Sequence, residues 1–224
     1  MRFMKMQQPQ TMTEIAIDTI RTGILSGELA PSARLIPGEL EEKLNLGRVP
    51  IREALKELAG TGLVKLLPNR GAIVAPLLDS GELYEVFSLR YDLEGKAAYR
   101  AAKFATQERI AYLRKINNDT LQQTDPFAYT LANRSFHLEL YKTAEWSFLQ
   151  KLITQLYDQM IIVRASFPTD MSMREKFTME HSKIIDAVEK HDSELAQKLT
   201  QSHIFWLYDR LKSKKTTDSI SGNE

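Results

Sequence analysis

The chain contains no cysteine, which excludes a disulfide framework and any thiolate metal site. It also has almost no excess of charge. Across 224 residues, 30 Lys/Arg oppose 29 Asp/Glu, a formal net charge of +1, so this is not a protein that coats nucleic acid by charge alone. The two ends differ little, with 10 Lys/Arg against 8 Asp/Glu up to Pro76 and 20 against 21 beyond it. Any affinity for DNA must therefore come from placing charges on one face. Long apolar runs are missing too. The start, MRFMKMQQPQ, lacks the apolar run of a signal peptide, and no stretch approaches membrane-spanning length. The expectation is a cytoplasmic protein with no membrane partner. Histidine is scarce, at four, so the position of each one is informative. The length suits one small module and one larger domain with its own core.

Of what is present, Leu44 to Arg70 says most: LNLGRVPIREALKELAGTGLVKLLPNR. It reads as a helix end, a tight turn, a second helix and a β-hairpin. Arg48, Arg52 and Lys56 repeat every four residues on one face of the second helix, while Ile51, Leu55 and Leu58 line the neighbouring side. Such a helix can dock on a core and hold its guanidinium groups outward, where Arg is well shaped to grip guanine in the major groove. An ordinary amphipathic helix with a solvated basic face has the same pattern, but a preceding turn and a following wing favour a winged helix-turn-helix. Upstream, Thr11 to Ser26 reads as a first helix, with Ile15, Thr19, Thr22 and Leu25 on one side and Ile17, Ile20 and Ile24 beside them, closed by Gly27. Arg34-Leu35-Ile36, between Pro31 and Pro37, is room for a small strand or an extended link. Pro37 to Asn45 is the second helix, and Gly47 falls at the N-cap of the third. Leu63 to Leu67 and Ala72 to Ala75 read as strands joined by Pro68-Asn69-Arg70-Gly71, which offers Asn69 and Arg70 to a DNA backbone or minor groove.

After Pro76 the pattern is helical throughout, with spans near 79–103, 106–122, 126–143, 146–166, 172–190 and 192–212. An antiparallel bundle of about six helices follows, and the whole fold is mainly α. The expected organisation is a flexible N-terminus over 1–10, a DNA-binding module over 11–76, a helical domain over 77–212 and a disordered tail over 213–224.

Polar residues interrupt the apolar stripes of this bundle. Leu83, Phe87, Arg90, Glu94, Ala97 and Ala101 share a face, so Arg90 either pairs with Glu94 or waits for a carboxylate ligand. His137, His181 and His203 all point inward by periodicity. The turn near His191-Asp192 lies midway between His181 and His203, which places both roughly 16 Å from it at about 1.5 Å per residue. They should face each other at one level. Converging imidazoles in a bundle core suit Zn²⁺ or a related divalent ion. Glu180, adjacent in sequence to His181, and Glu139, two residues from His137, point to neighbouring faces. A metal-dependent hydrolase therefore lacks an obvious general base, and a non-enzymatic role is expected.

Ser26 to Val74 resembles the winged helix of GntR-family bacterial transcription regulators, through Gly27-Glu28-Leu29-Ala30-Pro31, Arg34-Leu35, Arg48-Val49-Pro50-Ile51-Arg52-Glu53-Ala54-Leu55, Gly62-Leu63-Val64 and Pro68-Asn69-Arg70-Gly71. The resemblance implies DNA contacts for Arg34, Arg48 and Arg52 and a wing glycine at Gly71. Two positions depart from it: Ser32 stands where glycine is usual, and Gly47 where Ser is usual. The rest of the chain resembles the FCD ligand-sensing domain of the FadR branch. Leu89-Arg90, Leu93-Glu94 and Ala97-Ala98 match its opening helix, and Asn133, Phe136-His137, Glu180-His181 and His203 match its metal motif. Six helices look more like the VanR-type subgroup.

That resemblance implies a metal set of Asn133, His137, His181 and His203, with Asn133 where Asp is common and His191 where glycine is common. Zn²⁺ is the first expectation for the ion, with Ni²⁺ and Mn²⁺ as alternatives. It also implies a small organic acid effector paired with Arg90, a homodimer, and a double-stranded operator whose binding the effector modulates, as in a repressor. A metal-free regulator sensing an acyl chain, its histidines merely packed, is the alternative.

Overall fold

The computed structural model describes residues 10–68, 70–165 and 170–221, so the N-terminal segment expected to be flexible and Asn69 lie outside the described residues except for Gln10. The chain divides into two compact units between Leu77 and Leu78.

In the first unit α1 (Met12–Leu25) starts at a Thr11 capping box, in which the Thr11 hydroxyl and the Glu14 carboxylate satisfy each other's backbone N–H. Of the two stripes read from its sequence, Ile17, Ile20 and Ile24 are buried. Ile15, Thr19 and Thr22 face solvent instead, because only one side of α1 meets α3. The short strand β1 (Arg34–Leu35) precedes α2 (Pro37–Leu44), which ends on Asn45 in the left-handed conformation at φ 50°. After this turn comes α3 (Arg48–Gly60). Strands β2 (Val64–Leu67) and β3 (Gly71–Val74) pair in register from Val64↔Val74 to Leu67↔Gly71, and β1 adds to the far side of β3, giving the antiparallel order β1-β3-β2.

Gly71 is required twice over. Its φ is +84°, and a Cβ there would meet the Leu35 carbonyl oxygen at 2.5 Å. Ser32 and His191, the two residues standing where the resembled families prefer glycine, sit at φ 65° and 56°. Both hold a left-handed backbone conformation that favours glycine.

In the second unit, the described residues form six helices: α4 (Ser80–Phe104), α5 (Gln107–Leu121), α6 (Pro126–Lys142), α7 (Ser147–Ala165), α8 (Met171–Glu189) and α9 (Ser193–Ser221). Asp79, Thr106, Asp125 and Asp170 cap α4, α5, α6 and α8 through their side chains. The core gathers the alanines of α4 (Ala97, Ala98, Ala101 and Ala102) with Phe136, Leu140, Tyr157, Ile184 and Ile185. Small residues on α4 bring α9 close to it, and Gly95 faces Gln201. The final helix corrects one expectation. It runs to Ser221, through most of the tail expected to be disordered, because neither proline nor glycine interrupts the sequence between Ser193 and Gly222.

Candidate DNA-binding face and metal centre

The first unit turns a helix outward. On α3, Ile51, Ala54, Leu55 and Leu58 are buried, and Arg48, Arg52 and Lys56 are exposed on the opposite side. Gly47 is the N-cap and gives no side-chain hydrogen bond, so the first amides of α3 remain available to an anion. Lys56 differs from the two arginines, since its Nζ lies 2.7 Å from the Glu53 carboxylate one turn back. Arg34 on β1 and Arg70 at the hairpin are exposed, and Gly71 beside Arg70 is half-buried. One residue escaped the charge-based reading. Val49, in the first turn of α3, is 71% exposed, an apolar side chain between two arginines. The signal was available, because Val49 falls outside the Ile51, Leu55 and Leu58 stripe.

The second unit does the opposite and turns its polar groups inward. His137 on α6, His181 on α8 and His203 on α9 are 1%, 1% and 4% exposed. One ring nitrogen from each lies within 4.8 Å of those of the other two. The rings of His181 and His203 are 4.9 Å apart between centroids, at matched height as the turn spacing predicts. Phe136 stacks on His181 at 4.2 Å, and Phe177 meets His203 edge-on at 5.3 Å, so aromatic walls hold the imidazoles in place.

Each Nδ1 is engaged on the outer side of the cluster. Asn117 donates its Nδ2 to the Thr178 carbonyl and Ser182 Oγ, which turns its Oδ1 toward His181 Nδ1 at 3.1 Å. His203 Nδ1 lies 2.7 Å from the Glu180 carboxylate. The Tyr141 hydroxyl donates to Glu94 at 2.6 Å and offers its oxygen to His137 Nδ1 at 3.3 Å. With an oxygen facing Nδ1 in all three, each ring can carry its proton there and leave Nε2 free to face the centre. Outer partners of this kind set the tautomer and orientation of metal-ligating histidines. Four residues before His137 on α6, Asn133 is fully buried, and neither atom of its amide has a hydrogen-bond partner. A buried orphan amide is costly unless something supplies the missing contact. The donor set therefore fits a divalent ion held by three imidazoles and the Asn133 carbonyl.

Sequence reasoning missed Asn117, Tyr141 and the role of Glu180, which reaches past its own neighbour His181 to His203. Glu139 does face away, toward Arg109 at 3.1 Å. Arg90 is committed to Glu94, with Nε 2.6 Å from Oε1 and both side chains buried. Its guanidinium also lies 4.2 Å over the Tyr157 ring, whose hydroxyl reaches Glu94 at 3.3 Å. Burial opposes the Arg90 cation most strongly, but Glu94, Tyr157 and Tyr141 together more than offset it, and its pKa is raised above the usual range. Burial, then the Glu94 charge, pushes the Tyr141 hydroxyl well above its ordinary pKa, so it remains a donor. All six helices thus feed one connected centre.

A winged helix with a solvent-facing basic helix, followed by a helical bundle around a buried imidazole cluster, defines a class: a DNA-binding regulator with a second, helical domain. The gntR family of bacterial regulatory proteins matches residues 13–74. The FCD domain matches residues 85–205, more than half of the chain. The protein belongs to the FCD-containing gntR family, a family of transcription regulators rather than enzymes. It is 32% identical over 138 residues to the HTH-type transcriptional regulator McbR of Escherichia coli, a match spanning 60% of this chain and 62% of that protein. It is 28% identical over 207 residues to the HTH-type transcriptional repressor NanR of an Enterobacter species, covering 82% of this chain and 77% of the relative. The solved structure of E. coli McbR/YncC superposes with a TM-score of 0.81 at 22% identity, covering 92% of this chain and 100% of that one. No helix among the described residues is long and apolar enough to cross a membrane.

Proposed function

We propose that this regulator is a metal-dependent metabolite sensor that represses transcription. His137, His181 and His203 hold a divalent ion with Asn133, and a small carboxylate effector completes the coordination sphere. The observation that carries this reading is the convergence of three imidazoles within 4.8 Å beside an orphaned Asn133 amide. Zn²⁺ suits three nitrogens and an oxygen, and Ni²⁺ and Mn²⁺ are the alternatives that availability would select. The ion supplies positive charge and an open position for the effector carboxylate. Arg90 takes part through its pair with Glu94, which Tyr141 connects to His137. Occupancy of the centre is thereby felt on α4, the first helix of the sensor.

On the DNA side, Arg48, Val49 and Arg52 enter the major groove, with Val49 available to a thymine methyl. Arg34, Lys56, the Gly47 amide end of α3, and Asn69, Arg70 and Gly71 of the wing meet the backbone or minor groove. A homodimer places two such helices on a two-fold operator. Repression is the sign carried by the relative NanR, a transcriptional repressor by name.

Elemental analysis of untagged protein tests the sensor directly. A stoichiometric ion in the parent, lost in His181→Ala and His203→Ala, is expected. Failure to retain any ion after reconstitution with Zn²⁺, Ni²⁺ or Mn²⁺ would overturn the proposal and turn the search to larger, metal-independent ligands.

A further inference from the structure

On the outer side of α4, Lys96, Arg100 and Lys103 recur at i, i+4 and i+7 and share one face. Like charges at this spacing repel and weaken a helix. None of the three forms an ion pair among the described residues, although the chain has nearly as many acids as bases. The same three residues, with Tyr99, Trp146 and Gln197, line a cavity of about 310 Å³ that has no acidic wall.

The cations are held over rings. Arg100 donates Nε to the Ala144 carbonyl at 2.6 Å, and its guanidinium lies 4.5 Å from the Phe104 ring centre and 4.7 Å from that of Trp146. With Nε taken, its two Nη groups remain for the cavity. Lys103 Nζ lies 4.7 Å from the centre of the Tyr99 ring. Trp146 is 47% exposed and follows Glu145, whose left-handed φ of 57° turns the chain between α6 and α7. A non-glycine residue in that conformation is strain the fold maintains. The inward face of α4, with Glu94, Ala97, Ala98 and Ala101, belongs to the bundle core, so this cavity is separate from the imidazole centre.

We infer that this cavity is a second ligand site, for a small polyanion carrying a flat ring, the chemistry of a nucleoside diphosphate. Lys96, Arg100 and Lys103 hold the phosphates, where the planar guanidinium can donate two parallel hydrogen bonds. Trp146 and Tyr99 offer surfaces to the base, as aromatic residues do where bases are bound without sequence preference. A single phosphate would use the cations alone and make no use of the exposed surface of Trp146. The volume lies at the lower end of small-molecule pockets, which suits a ligand of this size.

Calorimetric titration of the full-length protein with ADP at low ionic strength tests the assignment, with inorganic phosphate and adenosine as comparison ligands. Saturable ADP binding is expected, with phosphate and adenosine each at least tenfold weaker. The exposed double variant Lys96→Gln/Lys103→Gln should bind ADP at least tenfold more weakly while keeping its circular dichroism and melting curve. Trp146→Ala should weaken ADP and leave phosphate binding unchanged. No saturable ADP binding would overturn the inference. So would an unchanged affinity in the double variant, which would place ADP elsewhere, the imidazole centre included. Phosphate binding as tightly as ADP would remove the nucleotide class. The two variants locate the binding at this cavity whether or not the histidines hold an ion.

Discussion

The winged helix and the helical bundle use polar residues in opposite ways. In the first unit the core is apolar, and Arg48, Arg52 and Arg34 stand outside it, so function is laid over a scaffold that does not need it. In the second, Arg90, Glu94, Asn117, Asn133, His137, His181 and His203 are all buried, and the residues proposed to sense a ligand also hold the helices together. The difference teaches where a substitution will act. On the head it should change DNA affinity and spare the fold. In the sensor it should change both.

The hardest test of that contrast is Glu94→Gln. It leaves the Arg90 cation buried without its carboxylate and turns one of the two oxygens that serve Arg90 and Tyr141 into an NH2 donor, so unfolding free energy should fall by about 3–5 kcal/mol. Chemical denaturation would measure it, and a loss below about 1 kcal/mol would show the pair to be less buried in solution. Arg48→Ala and Arg52→Ala should each weaken binding to an operator recovered by selection from genomic fragments, by about 1–3 kcal/mol. Their stability should stay within about 0.5 kcal/mol of the parent. A matching drop in melting temperature would mean that the head is not the separable surface described here.

Glu180→Gln probes a residue between the two regimes, since Glu180 is 25% exposed yet supports His203. Metal affinity should fall roughly tenfold, toward the mild end of the range for outer partners, because the amide oxygen still accepts from Nδ1–H. Competition with a chromogenic chelator would report it, and an unchanged affinity would make Glu180 a bystander. The smallest effect is Ser32→Gly, where glycine relieves a left-handed backbone at φ 65° but adds freedom to the unfolded chain. A net gain of up to about 1 kcal/mol is expected. A net loss would show that the serine side chain stabilises the turn by more than the strain it carries.

Much of this was legible in the sequence because it is local. Helix spans follow from apolar periodicity, and the Arg90–Glu94 pair is four residues apart on one helix. The level at which His181 meets His203 follows from their equal distance to one turn. What was not legible depends on which helices become neighbours. Asn117 supports His181 across 64 residues, and Glu180 chooses His203 over its own neighbour, because α5 and α9 both flank α8. The Lys56–Glu53 pair is an exception. Its spacing was visible, but the basic face was read without weighing the acid one turn away. The helical extension to Ser221 shows the limit of reading composition alone, since polar residues without a stop signal can continue a helix already begun.

A centre that draws on every helix of its domain belongs to no one stretch of the chain. His137, His181 and His203 report on the spacing of α6, α8 and α9. Asn117, Tyr157 and Glu94 tie the same point to α5, α7 and α4. Packing changes anywhere in the bundle, even at residues far from any ligand, will therefore arrive at the imidazoles as small displacements. On the proposed reading, ordinary core substitutions can retune the affinity of the centre while His137, His181 and His203 stay as they are.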